Sequence, residues 1–234
     1  MNPAREKQMD IIDEAIKQEH TSLSEFEAKQ LMAAYQIPVT LEALVENEEN
    51  LLSVATTIGY PLVLKGCSAK IAHKTEKGLI HLDIRNEQEA LAAFKDISAG
   101  LKPEKTAVLV QEMVQGKREL MAGLTRDTQF GPCVMFGLGG IFTEILKDIS
   151  FRVAPLEKSD ALDMMQEIRG HKILGRVRGL EAVNINALAD ILINLGRIGL
   201  ENKQIKEIDI NPIIISGSRP IVVDTLVILD KDQA

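Results

Sequence analysis

The sequence predicts an α+β protein built as two lobes, and three observations carry that prediction. Helix-period and strand-period segments succeed one another along nearly the whole chain. Strands also stand next to each other, 107–114 beside 118–125 and 205–215 beside 220–229, joined by short turns, which points to mixed layers rather than a strictly alternating parallel-sheet fold. Finally, 234 residues are enough for one large domain or two small ones. A boundary near 107–116 separates the lobes, so the expected plan is an N-terminal helical extension at 1–20, a first lobe at 21–110 and a second at 111–234.

Taken in order, residues 5–19 carry Met9, Ile12 and Ile16 on one helical face. Ser24 with Glu27 makes a capping box that starts the next helix, and Pro38 forces an end before Ile37. A short strand is expected at 41–45, and a helix at 48–58 closed by Gly59. Leu62–Lys65 reads as a buried strand, and a polar loop follows from Gly66 to Gly78. Residues 79–84 alternate with period two, which is a strand, and 86–98 is helical. After the strands at 107–114 and 118–125 comes a third, Cys133–Phe136, running into Gly137-Leu-Gly-Gly140. Helices at 157–169 and 184–200 precede the closing pair of strands, which turn at Ser216–Arg219.

Composition excludes several classes of function. Aromatics make up 3% and Trp is absent, leaving few platforms for stacking bases, and a net charge of −7 disfavours tracking a phosphate backbone. No nucleic-acid partner is therefore expected. Cys67 and Cys133, the only cysteines, form neither a disulfide framework nor a metal spacing. The N-terminus lacks the apolar core of a secretion signal, and no apolar run approaches the ~20 residues that span a bilayer. A cytoplasmic protein without membrane contact is the expectation.

Four segments could carry chemistry. Lys65 ends an apolar strand, where a charge is costly unless it meets an anion; it could hold a phosphate oxygen or simply snorkel. The loop behind it holds His73 among Lys70, Lys74 and Lys77, a setting in which neutral imidazole could accept a phosphoryl group, though a solvated basic loop would look the same. In EIDINP, Asp209 and Asn211 share one strand face, and Asp224 lies across the hairpin. These hard oxygen donors suit Mg²⁺ with substrate phosphates, or else cap a turn into Pro212.

VLVQEMV could turn backbone groups at Gln111 and Glu112 toward an adenine edge, with Glu112 or Glu119 accepting from ribose hydroxyls; a plain strand end is the alternative. The glycine run at 137–140 lets N–H groups approach an anion, but it matches neither the G-x-x-x-x-G-K-[ST] nor the G-x-G-x-x-G spacing. His20, His81 and His171 read as structural or surface residues.

In sequence order, LSEFEAKQLMAAYQIPV, the lysine and histidine loop, QEMV with REL, TRDTQFGP, FGLGG, GRVRG at 175–179 and EIDINP with VVD resemble the nucleotide-binding β subunit of ADP-forming acetate–CoA ligase, from Leu23 to Leu229. A more distant similarity runs to the ATP-grasp β subunit of succinyl-CoA synthetase. The resemblance implies an ATP-grasp fold, two lobes with nucleotide between them. It implies that Lys65 contacts nucleotide phosphates, that Gln111, Glu112 and Met113 form the hinge facing adenine, and that Glu119 is the acidic residue after it. Asn211 and Asp224 match the metal ligands, Asp209 could orient a histidine, and His73 takes the phosphoryl group. The implied cofactor is Mg²⁺, with ATP or ADP as substrate. The implied partner is an α subunit carrying the CoA-binding and ligase domains, in an α2β2 assembly. The implied reaction is acyl-CoA + ADP + phosphate ⇌ carboxylic acid + ATP + CoA. A succinyl-CoA synthetase-like subunit, and a non-catalytic nucleotide-sensing module of a protein acetyltransferase, are the competing expectations.

Overall fold

A computed structural model describes residues 11–68, 79–101, 107–140 and 148–230. The chain divides into two compact units. The smaller comprises residues 24–26 and 40–113, and the larger comprises 1–23, 27–39 and 114–234.

In the smaller unit, four strands form an antiparallel sheet: β1 (Glu42–Val45), β2 (Leu62–Cys67), β3 (Ile80–Ile84) and β4 (Ala107–Glu112), in the order β1-β4-β2-β3. Two helices start at asparagines. Asn47 accepts from the Asn50 N–H at 2.8 Å and opens the helix Glu48–Ile58, while Asn86 accepts from the Glu89 N–H at 3.0 Å and opens Glu87–Gly100. Each cap satisfies a donor that the helix itself leaves over, worth about 1 kcal/mol. Gly59, at φ +87°, closes the first of these helices. Leu51, Ala55, Ala90, Phe94 and Ile97 pack with Leu62, Leu64, Val108 and Val110, so one face of the sheet is buried under the helices. Side chains alternate, so Lys65, Leu109 and Gln111 belong to the opposite face.

The larger unit begins with helical residues 11–17 (α1). Glu48–Ile58 is α3 and Glu87–Gly100 is α4, and α2 is the helix Glu25–Ala34, which starts in the smaller unit and continues from Glu27 in the larger. It ends as Pro38 requires. Its sheet holds β5 (Glu119–Asp127), β6 (Gly131–Leu138), β7 (Ile149–Val153), β8 (Ile205–Ser216), β9 (Arg219–Val222) and β10 (Thr225–Leu229), ordered β10-β8-β5-β6-β7 with β9 on β8. Every pairing is antiparallel. Helices α5 (Lys158–Glu167) and α6 (Ile185–Glu201) bury Met164, Met165, Leu188, Leu192 and Leu195 against Leu120, Leu124, Val134, Phe136 and Ile208.

Two differences from the sequence expectations have physical causes. Strand β7 was not foreseen. Its period-two pattern is inverted, with Ile149, Phe151 and Val153 exposed while Ser150 is buried and donates to the Met164 carbonyl at 2.9 Å. The closing strand expected at 220–229 is two strands, interrupted at Val223–Asp224. The interruption faces an irregularity in β8. Ala122 pairs with Ile210 but Leu120 pairs with Ile213, so β8 carries one extra residue opposite Met121. The core-facing positions accordingly change from Ile208 and Ile210 to Ile213 and Ile215.

Candidate functional site

The irregularity in β8 defines the first cluster. Paired residues on either side of it keep one register, Ile210 with Thr225 and Ile213 with Val222, which sets Asn211 opposite Asp224. The Asn211 N–H donates to the Asp224 carbonyl at 3.3 Å, and the Val223 N–H to the Pro212 carbonyl at 3.1 Å. Asp209 and Asn211 both lie off the core face, flanking buried Ile210. The structure therefore brings Asp209, Asn211 and Asp224 onto one patch.

The charge balance of that patch is unfavourable by itself. Burial, and then the carboxylates of Glu207 and Asp224, push the Asp209 carboxyl above the usual range. Two carboxylates and one amide oxygen offer hard donors of the kind Mg²⁺ takes when phosphates complete its shell. Among the described residues, no group of three His, Cys, Asp or Glu side chains could hold a metal. The donor set thus fits a cation whose coordination is shared with a substrate, and not a dedicated all-protein cage.

Glu119 and the glycine run form a second cluster in the same unit. The Gly139 N–H donates to the Glu119 carbonyl at 2.9 Å. Gly140 sits at φ +66°, and a Cβ there would lie 2.8 Å from Glu119 Oε2. The backbone angle favours glycine there, while the atom in the way is the tip of a flexible side chain. Residues 141–147 lie outside the described residues. Just before Glu119, buried Arg118 donates to the carbonyls of Ile173, Gly175 and Gly217 at 3.2, 3.3 and 3.0 Å. Arg118 was not singled out from sequence. A lone arginine gives no local sign that three distant carbonyls await it.

The smaller unit holds the remaining residues. Lys65 does not snorkel: its ammonium is buried and contacts Glu25 Oε1 at 2.6 Å. Glu25 was quoted only as part of a motif, although the cost of a buried lysine is itself a signal that a carboxylate must lie near. Val63 pairs with Gln111 and Lys65 with Leu109, so Lys65 and buried Gln111 stand diagonally on the same sheet face. Glu112 belongs to the other parity. Its Oε1 accepts from the Leu41 N–H at 2.7 Å, and its own N–H donates to the Leu41 carbonyl at 2.9 Å. The Met113 N–H donates to the Pro61 carbonyl at 3.2 Å. The N–H groups of Glu112 and Met113 are thus both engaged within the protein, and a ligand edge there would meet other groups of the segment. His73, with Lys70, Lys74 and Lys77, lies outside the described residues. His171 is structural, its Nδ1 3.0 Å from the Ile168 carbonyl.

A family model described as an ATP-grasp domain matches residues 14–229. The β subunit of acetate–CoA ligase (ADP-forming) I from Pyrococcus furiosus is 46% identical over 95% of this chain and 98% of its own. A longer relative, acetate–CoA ligase (ADP-forming) I of Archaeoglobus fulgidus, is 35% identical over 97% of this chain, which spans 34% of that protein. Among solved structures, the dinucleotide forming acetyl-coenzyme A synthetase 1 of Candidatus Korarchaeum cryptofilum superposes with a TM-score of 0.85 at 41% identity, covering 95% of this chain and 100% of that one. It was solved with coenzyme A and Mg-AMPPCP, its phosphohistidine segment pointing towards the nucleotide binding site.

Proposed function

This chain belongs to the ATP-grasp domain family, and we propose that it is the nucleotide-binding β subunit of an ADP-forming acyl-CoA synthetase. It relays a phosphoryl group through His73 in the reaction acyl-CoA + ADP + phosphate ⇌ carboxylic acid + ATP + CoA. The observation that carries the reading is the shared break in β8 and its partner strands, which gathers Asp209, Asn211 and Asp224 where neither strand needs them for packing.

Each residue has a role in this scheme. Lys65 and Gln111 meet the nucleotide, Lys65 as a point charge on phosphate oxygens. Met113, Glu112 and Glu119 border the base and sugar. Asn211 and Asp224 would hold Mg²⁺, which when bound neutralises charge on the transferring group. Asp209 orients the imidazole of His73 and steadies its positive form. Toward ATP, the N–P bond of phospho-His73 breaks as a β-phosphate oxygen of ADP forms the new O–P bond, and the ring recovers its lone pair. In reverse, that lone pair attacks the γ-phosphorus and ADP leaves with the bond electrons.

The α partner, with CoA-binding and ligase domains in an α2β2 complex, forms the acyl phosphate and thioester. The fused relative, three times as long, supports such a division of labour. No helix among the described residues is long and apolar enough to cross a membrane, and a cytoplasmic enzyme is part of the proposal.

The test mixes the chain with its partner and labelled ATP and looks for acid-labile, base-stable phosphate on His73. His73→Ala is expected to lose both that label and overall turnover while still binding Mg·ADP. Near-normal turnover by His73→Ala removes the relay.

A further inference from the structure

We infer that Glu25 is the positioning residue for Lys65, holding its ammonium oriented and ready for the phosphates of a nucleoside di- or triphosphate. The inference rests on the proposed contact between Lys65 and nucleotide and names a residue that the contact requires. Lys65 is anchored at its backbone by two ladders, paired with Ile80 on β3 and Leu109 on β4. A four-carbon stem would still leave the charge free to wander. Glu25, 40 residues earlier in the chain, removes that freedom. Its Oε1 lies 2.6 Å from Lys65 Nζ, and the two side chains keep only 1% and 5% of their exposure.

Glu25 is the first residue of α2, where the helix dipole favours an anion. The pair therefore enters binding already stripped of water. An arriving phosphate does not have to desolvate a mobile ammonium or order its stem, and both of those costs would otherwise be charged against affinity. A carboxylate whose only task was to permit burial of a lysine would be replaceable together with it, because buried ion pairs exchange for apolar pairs at little cost. A positioning carboxylate is not replaceable in that way, since Lys65 then has to remain for its own sake.

The test is a double-mutant cycle on the full chain, read as calorimetric affinity for Mg·ADP with thermal unfolding beside it. Glu25→Gln is expected to weaken Mg·ADP roughly tenfold and Glu25→Asp about threefold. In a Lys65→Met background, Glu25→Gln is expected to change affinity less than about twofold, because a residue acting through another shows full coupling. If Glu25→Gln proves too unstable to purify, Glu25→Asp carries the same cycle. Equal weakening in both backgrounds assigns Glu25 a purely structural role and overturns the inference. So does unchanged affinity in Glu25→Gln when Lys65→Met has lost binding. Unchanged affinity in Lys65→Met fails instead at the earlier step, the assignment of Lys65 to nucleotide.

Discussion

Replacing Arg118 by methionine tests how the larger unit holds its Glu119 edge in place. The guanidinium is buried and ties β5 to two other segments, donating to the carbonyls of Ile173, Gly175 and Gly217. Its own carbonyl accepts from the Ile215 N–H at 3.0 Å, fastening β5 to β8. The bonds from Nη1 to Ile173 and Gly175 are long and share one nitrogen, so they count together as about one good bond. Nη2 to Gly217 supplies the second. A hydrogen bond from a charged donor contributes about 1.5–3 kcal/mol. Gly175 and Gly217 are exposed, so their carbonyls recover water when the donor is gone, which favours the low end and a loss of about 3 kcal/mol. Methionine keeps most of the apolar stem, so little packing is lost.

For a chain of this size that loss lowers the melting temperature by about 6–12 °C, read by differential scanning calorimetry. Arg118→Lys, with one compact charge in place of a fork, is expected to lose about half as much. Affinity for Mg·ADP should fall in step, because Glu119 follows Arg118 directly. A methionine variant that melts within about 2 °C of the parent would show that the three contacts are incidental.

Asp209→Asn should separate stability from function. Asp209 is raised by burial and by two neighbouring carboxylates, so the folded chain holds that proton more tightly than the unfolded one. Its charge costs nothing below the ordinary carboxylate range, and the cost grows as pH climbs through that range toward the folded value and stays in full above it. At neutral pH the asparagine variant is therefore expected to melt higher than the parent yet turn over far more slowly with its partner; a lower melting temperature contradicts the argument. Gly140→Ala forces a Cβ to 2.8 Å from Glu119 Oε2 at φ +66°, a strain of about 1–2 kcal/mol. Weaker Mg·ADP binding with a melting temperature only a few degrees lower is expected, and unaltered affinity would detach the glycine run from the nucleotide.

Much of the architecture was legible because it is written in local patterns. The helix at 48–58 has its acidic start and glycine end in one stretch, and 62–65 announces a buried strand through unbroken apolar residues. What stayed hidden depends on residues far apart in the chain. The extra residue of β8 exists only relative to β5, some 90 positions earlier, and nothing within EIDINP shows it. The inverted pattern of β7 reads as a poor strand until the helix bonded to Ser150 is known. That Asp209, Asn211 and Asp224 share one patch is legible, because strand alternation and a hairpin turn are short-range rules. The partner of Lys65 was not found, because burial predicts that a carboxylate exists without saying which one.

The two units treat their buried charges in opposite ways, and the contrast is informative. Lys65 is matched by Glu25, so its positive charge is stable in place before any ligand arrives. Among the described residues, the charges that act on Asp209, those of Glu207 and Asp224, are both of its own sign. A fold shaped only for stability would have replaced one of these acids, as a neutral isostere costs less at each position. The metal ion and the imidazolium of the phosphoryl carrier in the proposed function give a reason to retain them. Mg·ADP is expected to raise the melting temperature more than Mg²⁺ alone; a rise as large with Mg²⁺ alone would make the acidic patch a free-standing metal site.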